Sequence, residues 1–238
     1  VALSAKKSLE FFIAERKSAL TFIIHERSFE ELADPEMLDR SFASLKKSFG
    51  AFVDLGLIDS SGDQRSYVGP YELAGTNYQE DDWFHEVRLR GIYVSDVFLG
   101  HRKFPHFVIA VMRERGQGDF YVLRATVDTE ALAQHIRALN LRPSSDAFVI
   151  NGEGILQTSS RFHGDLLTRS SLDVPVYSKE PRVVEGYDDE HGLVVGYAYI
   201  EQSPFIFMVA KQPKDLMRNW FALRIELIWI LAISAGVI

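Results

Sequence analysis

Cysteine is absent from the 238 residues of this sequence. Disulfide bonds, cysteine-ligated zinc sites and iron–sulfur clusters are therefore excluded. The sequence also lacks a glycine-rich phosphate loop and a nucleophile elbow. We therefore expect no enzymatic activity, no metal and no cofactor in this chain.

A concentration of positive charge is missing as well. Asp and Glu outnumber Lys and Arg by 33 to 26, which gives a net charge of −7, and the basic residues are scattered. Nucleic-acid-binding proteins carry a basic patch, so we expect no nucleic-acid partner. The 47% of hydrophobic and 25% of charged residues are typical of a folded globular protein. The length suffices for one large or two small domains.

The C-terminal segment is far more apolar than this average. Residues 220–238 read WFALRIELIWILAISAGVI, and the last twelve residues carry no charge. A full membrane span needs about 20 apolar residues. We interpret the run as a transmembrane helix that is cut short, with Trp220, Phe221 and Arg224 at the membrane interface. The alternative is a buried core helix.

The N-terminal segment predicts one long amphipathic helix. It has no helix breaker for more than thirty residues, and charges interrupt it too often for a signal peptide. The first three residues are interpreted as the tail of an earlier membrane span. A chain that leaves one membrane helix and enters another is an extracytoplasmic domain anchored at both ends. The apolar positions at helical spacing are Leu9, Phe12, Ile13, Leu20, Ile23 and Ile24.

Short helices and β-prone segments follow. Asp34 is a candidate N-cap before Pro35, which predicts a helix over 35–49. The acids of the turn at 59–63 lack the terminal glutamate of a calcium loop, so a plain hairpin turn is favoured. Further predicted elements are a long connection over 69–90 with a helix at 82–88, strands at 92–99, 106–113 and 120–127, and a helix at 129–139.

A second, shorter unit repeats this order after a boundary at residues 143–145. The segments DAFVI, VPVYS, RVVEGYD, GLVVGYAYI and FIFMVAK supply its predicted strands, and residues 188–192 supply a polar hairpin loop. The fold class is α+β: a long N-terminal helix, two tandem antiparallel-sheet units, and the start of a transmembrane helix.

One group of side chains has the composition of a small-molecule site. Because strand side chains alternate between faces, Val94, Asp96 and Phe98 are expected on one face. Aromatic walls with a few convergent polar groups suit a cation. The alternative is that the aromatic residues are core and that Arg124 pairs with Asp96 or Asp128. The predicted ligand-binding residues are Tyr67, Tyr71, Tyr78, Trp83, Phe84, Asp96, Phe98, Arg124 and Asp128.

Two histidines near this group, His101 and His106, fit neither the helical nor the strand spacing of a metal site, and cations flank them. We expect a solvated loop there rather than a zinc site.

The order of these pieces resembles the double-Cache (PAS-like) extracytoplasmic sensor domain. The resemblance rests on Tyr78, then Trp83-Phe84, and on the segments GIYVSDVFLG, HFVIAV, FYVLRATVDTEAL and DAFVINGEGILQTSS. It covers essentially the whole chain. It implies stalk and dimer helices over 1–50, a membrane-distal ligand-binding unit over 51–142, a membrane-proximal unit over 143–213, and a linker with a transmembrane helix over 214–238. We expect the proximal unit to be structural, because fewer of its polar residues are expected to face inward.

The resemblance also bears on the ligand. Amino-acid-binding members carry an arginine two residues before the Trp, where this sequence has Asp81, and a further acid where it has Gly100. Arg102 or Arg124 would have to replace that arginine. An ordinary α-amino acid is therefore not implied, and a cationic or polyol-like ligand is favoured.

The resemblance implies the periplasmic sensing domain of a transmembrane two-component sensor histidine kinase in the inner membrane, acting as a homodimer. Two alternatives stay open. The chain is the sensor of a chemoreceptor or diguanylate cyclase, or it is a protein-interaction module with no small ligand.

Overall fold

The computed structural model describes residues 1–73, 75–101, 103–139, 141–142, 145–185 and 192–211. Several predictions from the sequence lie outside these residues: the role of Arg102, the start of the boundary at 143–144, most of the loop at 188–192, and the linker and apolar run over 214–238. Among the helices described, none is both long enough and apolar enough to cross a membrane.

The N-terminal segment forms two helices rather than one. Helix α1 spans Ala2–Glu26 and helix α2 spans Phe29–Ala33. Ser28 and Glu31 make a reciprocal capping box that starts the second helix. The prediction of one continuous helix is wrong after Glu26, because this local cap turns the chain.

Helix α1 packs against both sheets of the protein. Its 25 residues reach about 37 Å, enough to pass along both units. A single apolar cluster joins Leu9 and Leu20 of α1 to Leu123 of the first sheet and Phe207 of the second. The two units therefore share one core along α1.

The first sheet has five antiparallel strands in the order β2-β1-β5-β4-β3. As predicted, Asp34 caps the start of the helix over Pro35–Phe49, which comes before the sheet in the chain, and Pro35 occupies the first turn of that helix. The elements of this part are α3 Pro35–Phe49, β1 Phe52–Asp59, β2 Gln64–Val68, α4 Asp82–Arg90, β3 Ile92–Val94, β4 His106–Gly116, β5 Asp119–Asp128 and α5 Thr129–Arg137.

The second sheet has four antiparallel strands in the order β6-β9-β8-β7. They are β6 Ser145–Ile150, β7 Arg182–Glu185, β8 Val194–Tyr199 and β9 Ile206–Lys211. The strand predicted in VPVYS is absent. Its Pro175 and Val176 carbonyls instead accept hydrogen bonds from the Tyr199 and Tyr197 hydroxyls. The predicted α+β class with two antiparallel-sheet units is confirmed.

Candidate functional site

Arg124 lies at the centre of the first sheet. It belongs to the middle strand, β5, where its register partners are Gly56 on β1 and Ala110 on β4. Both neighbours are small, so the guanidinium has room to lie across the sheet. A Cβ on Gly56 would come within 2.9 Å of Gln64 Oε1 and 3.1 Å of Arg124 Nη2. Glycine at position 56 is therefore what lets these two side chains meet.

The Arg124 guanidinium is buried but loosely paired. Its nearest carboxylate is Asp54, with Nη2 and Oδ1 3.3 Å apart, and the two side chains are 1% and 0% exposed. Contacts to Gln64 and Thr126 are 3.5 Å long, and Nε has no partner. Charge-assisted hydrogen bonds are normally about 2.7–2.9 Å long. The ring of Tyr78 covers the guanidinium at 5.3 Å.

Tyrosine hydroxyls connect the 69–81 connection to this ion pair. The Tyr78 hydroxyl donates to Gln64 Oε1 at 3.2 Å, and Gln64 Nε2 donates to the Leu73 carbonyl. The Tyr67 hydroxyl donates to Asp54 at 3.3 Å and accepts from the Tyr71 amide. The connection is thus a roof held to the sheet by polar contacts.

Helix α4 supplies the rest of the roof. Trp83 packs edge-on against Tyr78 at 5.2 Å and against Phe84 at 5.7 Å, and all three rings are buried. Phe84 continues the contact to Phe120 on the sheet. These rings exclude water from one side of the ion pair.

Asp81 occupies the N-cap position of α4 without capping it. Its side chain makes no bond to the helix N–H groups. In contrast, Ser28, Asp34 and Asp128 all cap their helices. A cap is worth about 1 kcal/mol. The side chain instead faces His101, with Oδ2 and Nε2 3.7 Å apart.

Burial raises the pKa of the Asp81 carboxyl, while His101 and Arg124 oppose the rise. Solvent reaches the cluster from this side, because the side chains of Asp81 and His101 are 33% and 50% exposed. We call the set Asp54, Gln64, Tyr67, Tyr78, Asp81, His101 and Arg124 the roofed polar cluster.

The sequence prediction of a solvated loop is wrong at His106. This residue is fully buried, with Phe98 and Phe104 ring centroids at 4.6 and 5.0 Å. Phe104 in turn stacks on Tyr71 at 5.5 Å. Together these rings form an aromatic wall beside the roofed polar cluster.

The predicted strand over 92–99 ends at Val94, and this displaces Asp96. Val94 pairs with Ile109 but Phe98 pairs with His106, so the 95–98 side has one residue more than the opposite strand. This bulge reverses the alternation of side chains. Phe98 therefore joins the cluster around Tyr78, whereas Val94 faces α1. Asp96 turns toward Asn151 and Glu153 of the second unit.

Asp128 is also apart from the roofed polar cluster. Its carboxylate accepts the Glu130 amide at 2.9 Å as the cap of α5. It lines a surface depression of about 560 Å³ beside α3 with Lys46 and Gly69. Of the nine predicted site residues, the structure brings together Tyr67, Tyr71, Tyr78, Trp83, Phe84, Phe98 and Arg124. Sequence reasoning missed Asp54, Gln64, Phe104 and His106, and it left Asp81 outside the site list.

No protein-family profile and no curated protein sequence matches this chain. Many solved structures match its fold, and three of them follow. The extracellular domain assigned to the histidine kinase rpHK1S-Z16 has a TM-score of 0.68 and 14% identity, over 92% of this chain and 94% of that one. The ligand-binding domain of the Pseudomonas aeruginosa PAO1 amino acid chemoreceptor PctB with L-Arg has a TM-score of 0.67 and 12% identity, over 90% of this chain and 93% of that one. The ligand-binding domain of the Pseudomonas fluorescens chemoreceptor CtaA with L-isoleucine has a TM-score of 0.64 and 13% identity, over 92% of both chains.

This chain has the fold of these extracellular and ligand-binding domains. The predicted resemblance is confirmed at the level of fold. The two chemoreceptor structures are ligand-binding domains, and the rpHK1S-Z16 structure is an extracellular domain. The absence of enzymatic activity in this chain stays a prediction.

Within the described ranges, no group of three or more His, Asp or Glu side chains is placed to hold a metal ion.

Proposed function

We propose that this chain is the extracytoplasmic sensing domain of a membrane receptor, and that its first unit binds a small molecule carrying a positively charged amine. The observation that carries the proposal is the orientation of Asp81. Its carboxylate makes no bond to its own helix and faces the half-exposed His101, whose ring packs edge-on against Tyr78. Asp54 already compensates the charge of Arg124. Asp81 is therefore the acid available to a ligand cation, and neighbouring rings favour such a cation.

Two of the matched structures support an amine ligand through what they contain. PctB was solved with L-Arg, and the related PctC with GABA. For an amine that also carries a carboxylate, the unpartnered Nε of Arg124 offers a second contact. An amine-only ligand would use Asp81 alone.

A thermal-shift screen tests the proposal. A ligand that binds only the native state raises the melting temperature by mass action. We expect shifts from amines and zwitterions, and none from sugars or simple carboxylates. Asp81→Asn should weaken the best hit about 10- to 100-fold, since a hydrogen bond to a charged group contributes about 1.5–3 kcal/mol.

Asp82→Asn is the matched control, because the neighbouring acid is exposed on the same helix. It should leave the affinity unchanged. A panel of amines without any shift, or equal losses in both variants, would contradict the proposal.

We further propose a sensor histidine kinase as the receptor and a homodimer as its working form. The first structure described above is assigned to a histidine kinase. Support for the dimer comes from α1, where Phe11 and Phe22 are 64% and 66% exposed. Phe22→Glu should convert a dimer to a monomer in sedimentation-velocity runs, whereas a monomeric wild-type protein would refute the dimer. Sequencing the downstream region for a phosphoacceptor-histidine domain tests the output.

A further inference from the structure

One short segment of the first unit touches both the roofed polar cluster and the second unit. It runs from Ser95 to His101, between β3 and β4. Its start is fixed to the sheet, because Ser95 Oγ accepts the Val108 amide at 2.8 Å. We call the segment the 95–101 strap.

One end of the 95–101 strap lies against the second unit. The Val97 amide donates to Gln157 Oε1 at 2.6 Å. Gln157 is fully buried, its own amide donates to the Val149 carbonyl of β6, and its Nε2 donates to the Ile155 carbonyl. The acceptor of the Val97 bond is therefore held rigidly by the second sheet.

The neighbouring contact of the strap is polar and only partly satisfied. Asn151 Oδ1 accepts the amides of Glu153 and Ile155, which leaves its NH₂ group to donate to Asp96. The other carboxylate oxygen of Asp96 is buried without a hydrogen-bond partner. Burial raises the pKa of Asp96, and Glu153 adds to that rise. The contact between the strap and Asn151 therefore rests on one of the two carboxylate oxygens of Asp96.

The other end of the 95–101 strap lies in the roofed polar cluster. Phe98 packs on His106, and His101 contacts both the Asp81 carboxylate and the ring of Tyr78. A cation bound at Asp81 would compete with His101 for that carboxylate. The strap is thus anchored at a group that a ligand would displace.

We propose that the 95–101 strap transmits the state of the roofed polar cluster to the second unit, through Val97–Gln157 and Asp96–Asn151. The proposal rests on the sensing function above, since the strap would have no ligand to report without it. Coupling between two sites acts in both directions, so a perturbation at either end must be felt at the other.

Hydrogen exchange on the ligand-free protein tests the strap. Asp81→Asn removes the negative charge from the Asp81–His101 contact, and His101→Gln removes its imidazole, each with little change in side-chain volume. Both should speed exchange of the Val97, Asn151 and Gln157 amides by about 5-fold or more, the lower range of allosteric coupling. In the reverse direction, Gln157→Leu should speed exchange of the Phe84 amide, which lies in the roof.

Two controls separate coupling from general destabilisation. Asp82→Asn changes the adjacent exposed acid, and Ser170→Ala removes a buried hydroxyl of the second unit that contacts Leu172 rather than the strap. Neither should alter the reporter amides at the opposite end. The amides of Val195 and Val209 in the second sheet serve as internal references in every variant.

Unchanged reporter amides in Asp81→Asn and His101→Gln would overturn the strap, even if amines bind the protein. Conversely, coupled exchange without any thermal shift from amines would leave the strap in place and remove the proposed ligand. The two proposals therefore fail on different measurements.

Discussion

Removal of the Asp54 carboxylate tests whether the centre of the first sheet depends on its buried ion pair. Asp54→Ala leaves the Arg124 guanidinium, 1% exposed, without that partner. The remaining contacts to Gln64 and Thr126 are 3.5 Å long and involve neutral groups. Breaking a buried pair on one side costs about 3–5 kcal/mol. In a protein of this size each kcal/mol lowers the melting temperature by about 2–4 °C.

Urea unfolding followed by far-UV circular dichroism measures this change. The matched control is Arg65→Ala, which breaks the Arg65–Asp59 pair. That pair is shorter, at 2.8 Å, but Arg65 is 55% exposed. Exposed pairs contribute about 0–1 kcal/mol. The shorter Arg65–Asp59 pair is thus expected to contribute less to the free energy of unfolding than the Arg124–Asp54 pair, because solvent screens it and rehydrates the remaining carboxylate.

A double variant completes the test. Arg124→Met with Asp54→Leu replaces both charges by apolar groups, so it should cost much less than the sum of Arg124→Met and Asp54→Leu alone. A cost below about 1 kcal/mol for Asp54→Ala would refute the reasoning. Strict additivity in the double variant would refute it as well.

Three further predictions concern other contacts. Burial raises the pKa of Asp96 in the folded state. The folded form therefore binds more protons than the unfolded form. As the pH rises through the raised pKa, this group destabilises the fold. Asp96→Asn should therefore stabilise the protein at pH 7, with a gain that shrinks toward about pH 4 in urea unfolding; a gain independent of pH would contradict this. Arg113 donates to the Ile24, His25 and Arg27 carbonyls at the end of α1. Arg113→Ala should therefore lower the free energy of unfolding by about 1.5–3 kcal/mol in the same assay. A loss near zero would mean that α1 is held by its apolar face alone. Gly56→Ala places a methyl group against Gln64 and Arg124 and should cost about 1–3 kcal/mol, whereas Gly152→Ala, with open space around it, should cost far less; equal losses would argue against the close packing.

Local chemistry made several elements predictable from the sequence. Asp34 before Pro35 marks a helix start wherever the chain goes, because the cap bonds to the next turn. The turn at 59–63 is set by neighbouring residues in the same way, since Asp59 accepts the Ser61 and Asp63 amides. The break after Glu26 was equally local, since Ser28 and Glu31 form a capping box that the apolar pattern concealed.

The composition of the candidate site was also visible in the sequence, as aromatic residues around a few charges. The partners of those charges were not. The sequence offered Asp96 or Asp128 as alternative partners of Arg124, yet Arg124 pairs with Asp54, because the register of β1 against β5 brings them to one face. A single extra residue in the 95–98 bulge sends Asp96 to the second unit and Phe98 to the aromatic wall beside the roofed polar cluster. Strand register and bulges depend on packing between distant segments, and one residue of shift exchanges the two faces of a strand. The sequence by itself therefore determined which residue types the site has and which local elements carry them, while the tertiary structure decided which of those side chains meet.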